Sequence, residues 1–287
     1  MEKDVLAVIE NGSAGFSKGQ RRIAKYILEN YDKAAFMTAG RLGVTVGVSE
    51  STVVRFAAEL GYDGYPGMRK ALQEMIRNRL TSVQRIEVAK ELIDDSNVLE
   101  AVLSADMEKL QKTIEEIDSA SFDAAVDAII NAKHVYIVGM RSSTALASFM
   151  GYYLNILRDN VYLLHDTAVS EIYEQVLRIG EGDVFIAMSY PRYSTRTVKA
   201  MRFVKSAGAT TIGLTDGDSS PLVELSDILL YAKSDMVSFL DSLIAPLSLI
   251  NALIVSIGLR SKDALSDTFK RLETVWSEND VYEHAEH

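Results

Sequence analysis

Two groups of residues in the chain have types and spacing that could carry chemistry. The first is Ser49-Glu50-Ser51-Thr52, followed one turn later by Arg55. Short hydroxyls, an acid and a guanidinium at the start of a helix can reach base edges and phosphates. The second is a set of loops: Gly139-Met140-Arg141-Ser142-Ser143, Ser189-Tyr190-Pro191-Arg192-Tyr193-Ser194-Thr195, and Thr215-Asp216 with Ser219-Ser220 beyond. Hydroxyls, free amides at a helix start and the fixed fork of arginine suit a phosphate or carboxylate. The candidate ligand contacts are Arg141, Ser142, Ser143, Ser189, Tyr190, Arg192, Ser194 and Thr195. Serine also caps helices for structural reasons alone, so one such loop would say little. Two at neighbouring strand ends say more. His165, Glu171 and Glu174 read as solvated or capping groups near a strand end.

The elements that must position the first group are helical. After Ser17, Ile23, Ile27 and Leu28 recur at helical spacing. Thr38 is placed to cap a second helix through Leu42 and Gly43, and Val46-Gly47-Val48 interrupts it. A third helix over 49–60, with Ser49 as its cap, ends at Gly61. Two short helices joined at a glycine make a helix-turn-helix, with Leu42, Val46, Val48, Val53 and Phe56 packing between them. Gly43 falls where the helices cross closely, and Gly47 where the backbone needs a positive φ. In that arrangement Glu50, Ser51 and Thr52 read bases, and Arg55 touches a base or a phosphate. Ser49, Thr38, Arg21 and Arg22 complete the candidate DNA contacts. Lys18 and Lys25 lie beside the last two. The alternative is a helical bundle whose charges are merely solvated.

The elements behind the second group are strands alternating with helices. Apolar runs at 134–139, 161–164, 183–188, 210–214 and 228–231 predict about five strands, and helices are expected at 143–158 and 195–207. The pattern is that of a mostly parallel sheet with both faces covered, in which ligands bind beyond the strand C-termini. The fold class expected is an all-α helix-turn-helix N-terminal domain plus an α/β C-terminal domain with a parallel sheet of about five strands flanked by helices. From Pro66 to Asp118 the chain reads as helix with few breakers. Met68, Leu72, Met75 and Ile76 form one stripe; Leu99, Val102, Leu103, Met107, Leu110 and Ile114 form another. The second stripe is either a dimer interface or ordinary core. The domains are placed at 1–78 (helix-turn-helix), 79–118 (helical linker), 119–262 (ligand-sensing) and 263–287 (C-terminal helix and tail).

Composition bounds the partners. With 48% apolar and 24% charged residues, the 287-residue chain has the makings of globular cores. Residues 1–80 hold 12 Lys and Arg against 9 Asp and Glu, a charge of +3, and the remainder carries −13. A basic end on an acidic body is a hint of nucleic-acid contact by one end. No cysteine is present, so disulfides and thiolate metal sites are excluded. His284 and His287 sit in the tail, and no metal or cofactor is expected. Without a long uncharged apolar run or a basic leader, no membrane partner is expected and the cytoplasm is the expected location. The first ligand loop is not a dinucleotide fingerprint, since its later glycines are missing.

The run from Ser17 to Ile76, above all Val48-Ser49-Glu50-Ser51-Thr52-Val53-Val54-Arg55-Phe56 and Leu60-Gly61-Tyr62-Asp63-Gly64-Tyr65, resembles the head of RpiR-type bacterial regulators. Residues 122–260 resemble their sugar-isomerase-type (SIS) domain. The resemblance implies a regulator of transcription bound to a double-stranded operator and governed by a small anionic effector, in particular a phosphorylated sugar. It also implies a homodimer or homotetramer assembled through the SIS domains. The family's loops differ at telling places. Its G-x-G-x-S is here Gly139-Met140-Arg141-Ser142-Ser143, and its S-x-S-G-x-T is Ser189-Tyr190-Pro191-Arg192-Tyr193-Ser194. The two arginines imply a more anionic ligand or a different pose, or else they pair with acids of this acidic domain. SIS isomerases carry a catalytic Glu ahead of a proline, and Asp241 stands at that place before Pro246. A sugar-phosphate isomerase with Asp241 as acid/base is therefore the alternative function. A SIS module that binds only a protein partner is a third.

Overall fold

The computed structural model describes residues 5–76, 80–92, 95–164, 171–234 and 240–282; His165, His284 and His287 lie outside them. The chain divides into two compact units, one reaching Leu103 and including Leu240 and Asp241, the other formed from Ser104 onward.

The first unit is helical: α1 (Val5–Gly12), α2 (Lys18–Glu29), α3 (Tyr31–Ala34), α4 (Ala39–Val46), α5 (Glu50–Glu59), α6 (Gly64–Ile76) and α7 (Ser82–Leu92). α2 opens with a reciprocal cap between Ser17 and Gln20, which satisfies two of the free amides of a helix start. Ile23, Ile27, Leu42, Val53, Phe56, Met68 and Leu72 fill one core. Phe56 meets Phe16 edge-on at 5.2 Å. The hydroxyl of buried Tyr65 donates to the Met37 carbonyl (3.0 Å), with that of Ala34 at 3.3 Å. It thereby fastens the short α3 to the approach of α4. On α7, Arg85 is buried and its Nη1 donates to Asp241 Oδ1 at 2.8 Å.

The second unit takes in α8 (Val98–Glu116) from Ser104, then α9 (Ser119–Asn131), β1 (Val135–Gly139), α10 (Ser143–Leu157) and β2 (Val161–Leu163). Beyond these come α11 (Glu171–Gln175), β3 (Val184–Met188), α12 (Thr195–Ser206), β4 (Thr210–Thr215), β5 (Ile228–Tyr231), α13 (Ile244–Arg260) and α14 (Lys262–Glu278). The strands form one parallel sheet in the order β2-β1-β3-β4-β5. Alternate side chains serve two cores. Val135, Ile137, Val184 and Ile186 face α9, α10 and α13, whereas Tyr136, Val138, Phe185 and Ala187 face α11 and α12. Burial on both faces is why each strand reads as an unbroken apolar run.

The stretch from Pro66 to Asp118, read from the sequence as helix with few breakers, is made of three helices, with a short 3-10 turn over Asp95–Asn97 before α8. The second apolar stripe also faces the other way from a core. Leu99 (75% exposed), Leu103, Met107 (70%) and Ile114 (69%) point outward. The buried positions of α8 are Lys109 and Thr113. Its inner face is held by polar contacts: Ser242 Oγ donates to Asp106, Lys233 N donates to Thr113 Oγ1 at 3.0 Å, and Lys233 pairs with Glu116.

Candidate functional site

In the head, α4 and α5 are joined at Gly47, which takes φ 70° as the left-handed residue ending α4. A Cβ at Gly43 would stand 2.8 Å from the Val48 carbonyl, so the turn can fold tightly back on α4 only if that position is bare. Thr38 caps α4 through the Arg41 amide. α5 ends in a pair of bonds, Tyr62 N to Ala57 O (3.1 Å) and Gly61 N to Ala58 O (3.0 Å), with Gly61 at φ 84°. That is the glycine-terminated helix stop expected from the sequence.

Ser49, Glu50, Ser51 and Arg55 are exposed at the open end of α5, with Thr52 half-buried beside them. One detail corrects the sequence reading. Ser49 occupies the cap position, but its hydroxyl bonds to no backbone amide. It sits 2.9 Å from both Ser51 Oγ and Thr52 Oγ1, making a cluster of three hydroxyls at the helix start. Glu50 leans back, its carboxylate 3.3 Å from where a Cβ on Gly40 would be, over the first turn of α4. Arg22 donates to the Gly47 carbonyl at 3.1 Å and Arg21 to that of Phe16 at 2.9 Å. Both thus brace the head's backbone while their remaining donors face outward.

In the sheet, the chain turns back between β1 and β3, which makes that pair the topological switch point. Gly139 is in register with Met188, so the two hydroxyl-rich loops leave adjacent strand ends side by side. Gly139 is bare because α10 begins directly against it: a Cβ there would lie 2.3 Å from the Ser143 carbonyl. Thr144 Oγ1 donates to the Gly139 carbonyl at 2.9 Å, and Ser143 is buried. Ser142 stands at the start of α10 without a side-chain cap, and it and Arg141 are exposed. In the second loop the Ser194 hydroxyl caps α12 through Thr197 N, while Ser189 Oγ accepts from Ser194 N at 3.1 Å. Thr195, the first residue of α12, is exposed. Tyr190 is buried, and its hydroxyl has no hydrogen-bond partner among the described residues. Burial, and next the charge of Asp216, push its pKa up, so it stays protonated as a donor.

The candidate contacts named above left out a network at the third loop. Tyr193 OH donates to Asp216 Oδ1 at 2.9 Å, and Thr215 Oγ1 lies 2.7 Å from both the Ser189 carbonyl and Ser220 Oγ. Asp216 is 1% exposed. The signal for this network was Tyr193 and Asp216 falling in loops already singled out by their hydroxyls. Among the described residues, no group of His, Asp or Glu is arranged to hold a metal ion, and no helix is long and apolar enough to cross a membrane.

With this geometry in view, the comparisons fall on the same two segments. The helix-turn-helix domain of the rpiR family matches residues 3–79, and the SIS domain matches residues 128–256. The chain joins an rpiR-family helix-turn-helix domain to a SIS domain. An HTH-type transcriptional regulator of Caldanaerobacter subterraneus is 26% identical over 262 residues, 89% of this chain and 90% of the relative. The sugar isomerase domain of an RpiR transcription factor from Sphaerobacter thermophilus superposes with TM-score 0.60 at 28% identity, over 62% of this chain and 99% of that one. The Vibrio vulnificus NanR protein, solved in complex with ManNAc-6P, is alike in fold with TM-score 0.57 at 24% identity. That match spans 95% of this chain and 99% of NanR.

Proposed function

We propose that this regulator binds a double-stranded operator through α5 and releases or engages it in response to a phosphorylated sugar held at the β1/β3 switch point. The observation that carries the reading is the pairing of Gly139 with Met188. It sets two helix-opening, hydroxyl-rich loops side by side, with an arginine in each. NanR, similar along nearly its whole length, was solved with a phosphorylated amino sugar, which supports the same ligand class here. In the proposed complex Ser49, Ser51, Thr52, Glu50 and Arg55 face the major groove, and Thr38, Arg21 and Arg22 face the phosphates. Arg141, Ser142, Ser143, Ser189, Tyr190, Arg192, Ser194 and Thr195 surround the effector. The active species is a homodimer or homotetramer in the cytoplasm, its heads spaced for half-sites about 34–36 Å apart. A ligand shifts the population of arrangements only by its differential affinity for them. Polar contacts tie α8 to Lys233 and Ser242, in the segments that follow β5.

No turnover is expected. Asp241, the residue aligned with the isomerase base, is already ion-paired with Arg85 at 2.8 Å, so proton transfer through it would break that pair. An assay of aldose–ketose interconversion with the parent chain and Asp241→Asn decides it, since loss of a measurable rate on substitution would establish an enzyme. The regulator reading is tested by retaining fragmented host DNA on the protein at fixed, near-physiological salt, because non-specific phosphate binding falls steeply with salt. Enrichment of a few sites sharing an inverted repeat, altered by added sugar phosphates, is the expected result. Uniform retention, or none with and without sugar phosphates, would reject it.

A further inference from the structure

α5 has two faces. Val53, Phe56 and Ala57, with Leu60 just beyond, are buried in the core of the head. Ser51, Val54, Arg55 and Ala58 recur at i, i+3, i+4 and i+7, which puts them on one stripe, and all four are exposed. Ser51 and Arg55 are among the DNA contacts proposed above. Arg55 Nε donates to the Ser51 carbonyl at 3.3 Å, which steadies the side chain along the stripe and leaves its two Nη groups to a partner. Ala58 is small and lets the helix lie close to what it faces. Val54 is 40% exposed and takes no part in the core. A β-branched residue is a poorer helix former than alanine, so a solvent-facing valine in mid-helix gains the fold nothing. A lone exposed valine elsewhere would need no explanation. This one shares the stripe of the proposed readers.

The chemistry of the major groove narrows what a valine can recognise. Guanine, adenine and cytosine present acceptors or an amino group there, whereas thymine presents an acceptor and a 5-methyl group. An aliphatic side chain has no donor or acceptor, so the methyl is the feature it can contact with gain. Over an amino group or a bare acceptor it would displace water and leave a polar atom unpaired. Neighbouring Cα atoms are about 3.8 Å apart and base pairs about 3.4 Å, so Val54 and Arg55 meet the same stretch of groove. The paired Nη donors of Arg55 suit guanine. Resting on the operator reading above, we propose that Val54 is a specificity residue of the head. In the complex it packs on the 5-methyl of a thymine, within roughly two base pairs of the guanine that Arg55 reads.

The test removes single methyl groups from the DNA. The full chain selects its site from a pool of randomised duplexes at fixed salt. Each thymine of the recovered site is then replaced by deoxyuridine, which lacks the 5-methyl and is otherwise the same, and binding is titrated by fluorescence anisotropy. One thymine in each half-site should show a loss of about 4-fold, the worth of one methyl withdrawn from water. Val54→Ala should bind the thymine and deoxyuridine duplexes alike. Its melting temperature should hold or rise, since alanine favours the helix. Val54→Thr keeps the β-branch and one methyl; its preference should fall between the two, and it serves if alanine disturbs the head. Deoxyuridine without effect at every position overturns the inference. So does an effect that persists undiminished in Val54→Ala, which would give the methyl to another side chain. Both results leave the regulator reading standing. Recovery of no shared site removes that reading, and this inference with it.

Discussion

At Gly43 a single added methyl would press on the Val48 carbonyl from 2.8 Å, and backbone cannot step aside as a flexible side chain can. Gly43→Ala should therefore destabilise the head by about 1–3 kcal/mol, the usual range for overpacking. The measurement is the denaturant midpoint of the head, with retention of operator DNA falling in parallel. Tyr65 offers a test with a pH signature. Burial, partly offset by the nearby charge of Arg69, pushes its pKa up to about 12 from an ordinary 10.0. Its protonated form is thus favoured by folding. The associated stability is complete below pH 10 and is lost as pH rises through 12. A rise of two units corresponds to about 3 kcal/mol. Tyr65→Phe should lose the hydroxyl's bond to Met37 at every pH and show a flatter decline between pH 10 and 12. An equally steep decline in the variant would assign the alkaline loss to another group.

Among the elements, the helix-turn-helix depends on a few fully buried side chains. Phe56 is packed edge-on against Phe16 with no exposure of its own. Phe56→Ala should remove about 3–5 kcal/mol from the first unit. In calorimetry the transition of the helical head should drop or vanish while that of the sheet domain remains, because the two units have separate cores. Much of this architecture was legible beforehand. Strands buried on both faces announce themselves as apolar runs, and Gly47 and Gly61 punctuate the head because only glycine adopts those angles freely. What could not be read was α8. Periodicity locates an apolar stripe but not whether the chain's own core receives it. Here the inner contacts of the helix run to a backbone amide at Lys233 and a hydroxyl at Ser242, partners more than a hundred residues away. The breaks before α7 and α8 escaped for a similar reason: no glycine or proline marks them. The left-handed backbone under Arg141 (φ 57°) and Arg192 (φ 66°) was equally hidden, since arginine is a poor signal for positive φ.

For the whole molecule, the outward stripe of α8 bears on assembly. Leu103, Met107, Leu110 and Ile114 follow the alternating three- and four-residue spacing of a helix seam. Met107 and Ile114 are 70% and 69% exposed in the single chain. Burial of both in a second copy predicts that Met107→Glu with Ile114→Glu lowers the sedimentation mass toward that of a monomer and weakens operator binding, with the sheet domain's melting temperature unchanged. Retention of the parent mass would place the contact elsewhere. A last consequence follows from the glycine-shaped backbone beneath Arg141 and Arg192. Glycine adopts the same angles without a Cβ penalty, so either residue suits the two positions. Glycine and arginine codons differ by one base. A charge can thus be added to these loops or taken from them by a single mutation that leaves the strand ends and the helix starts where they are.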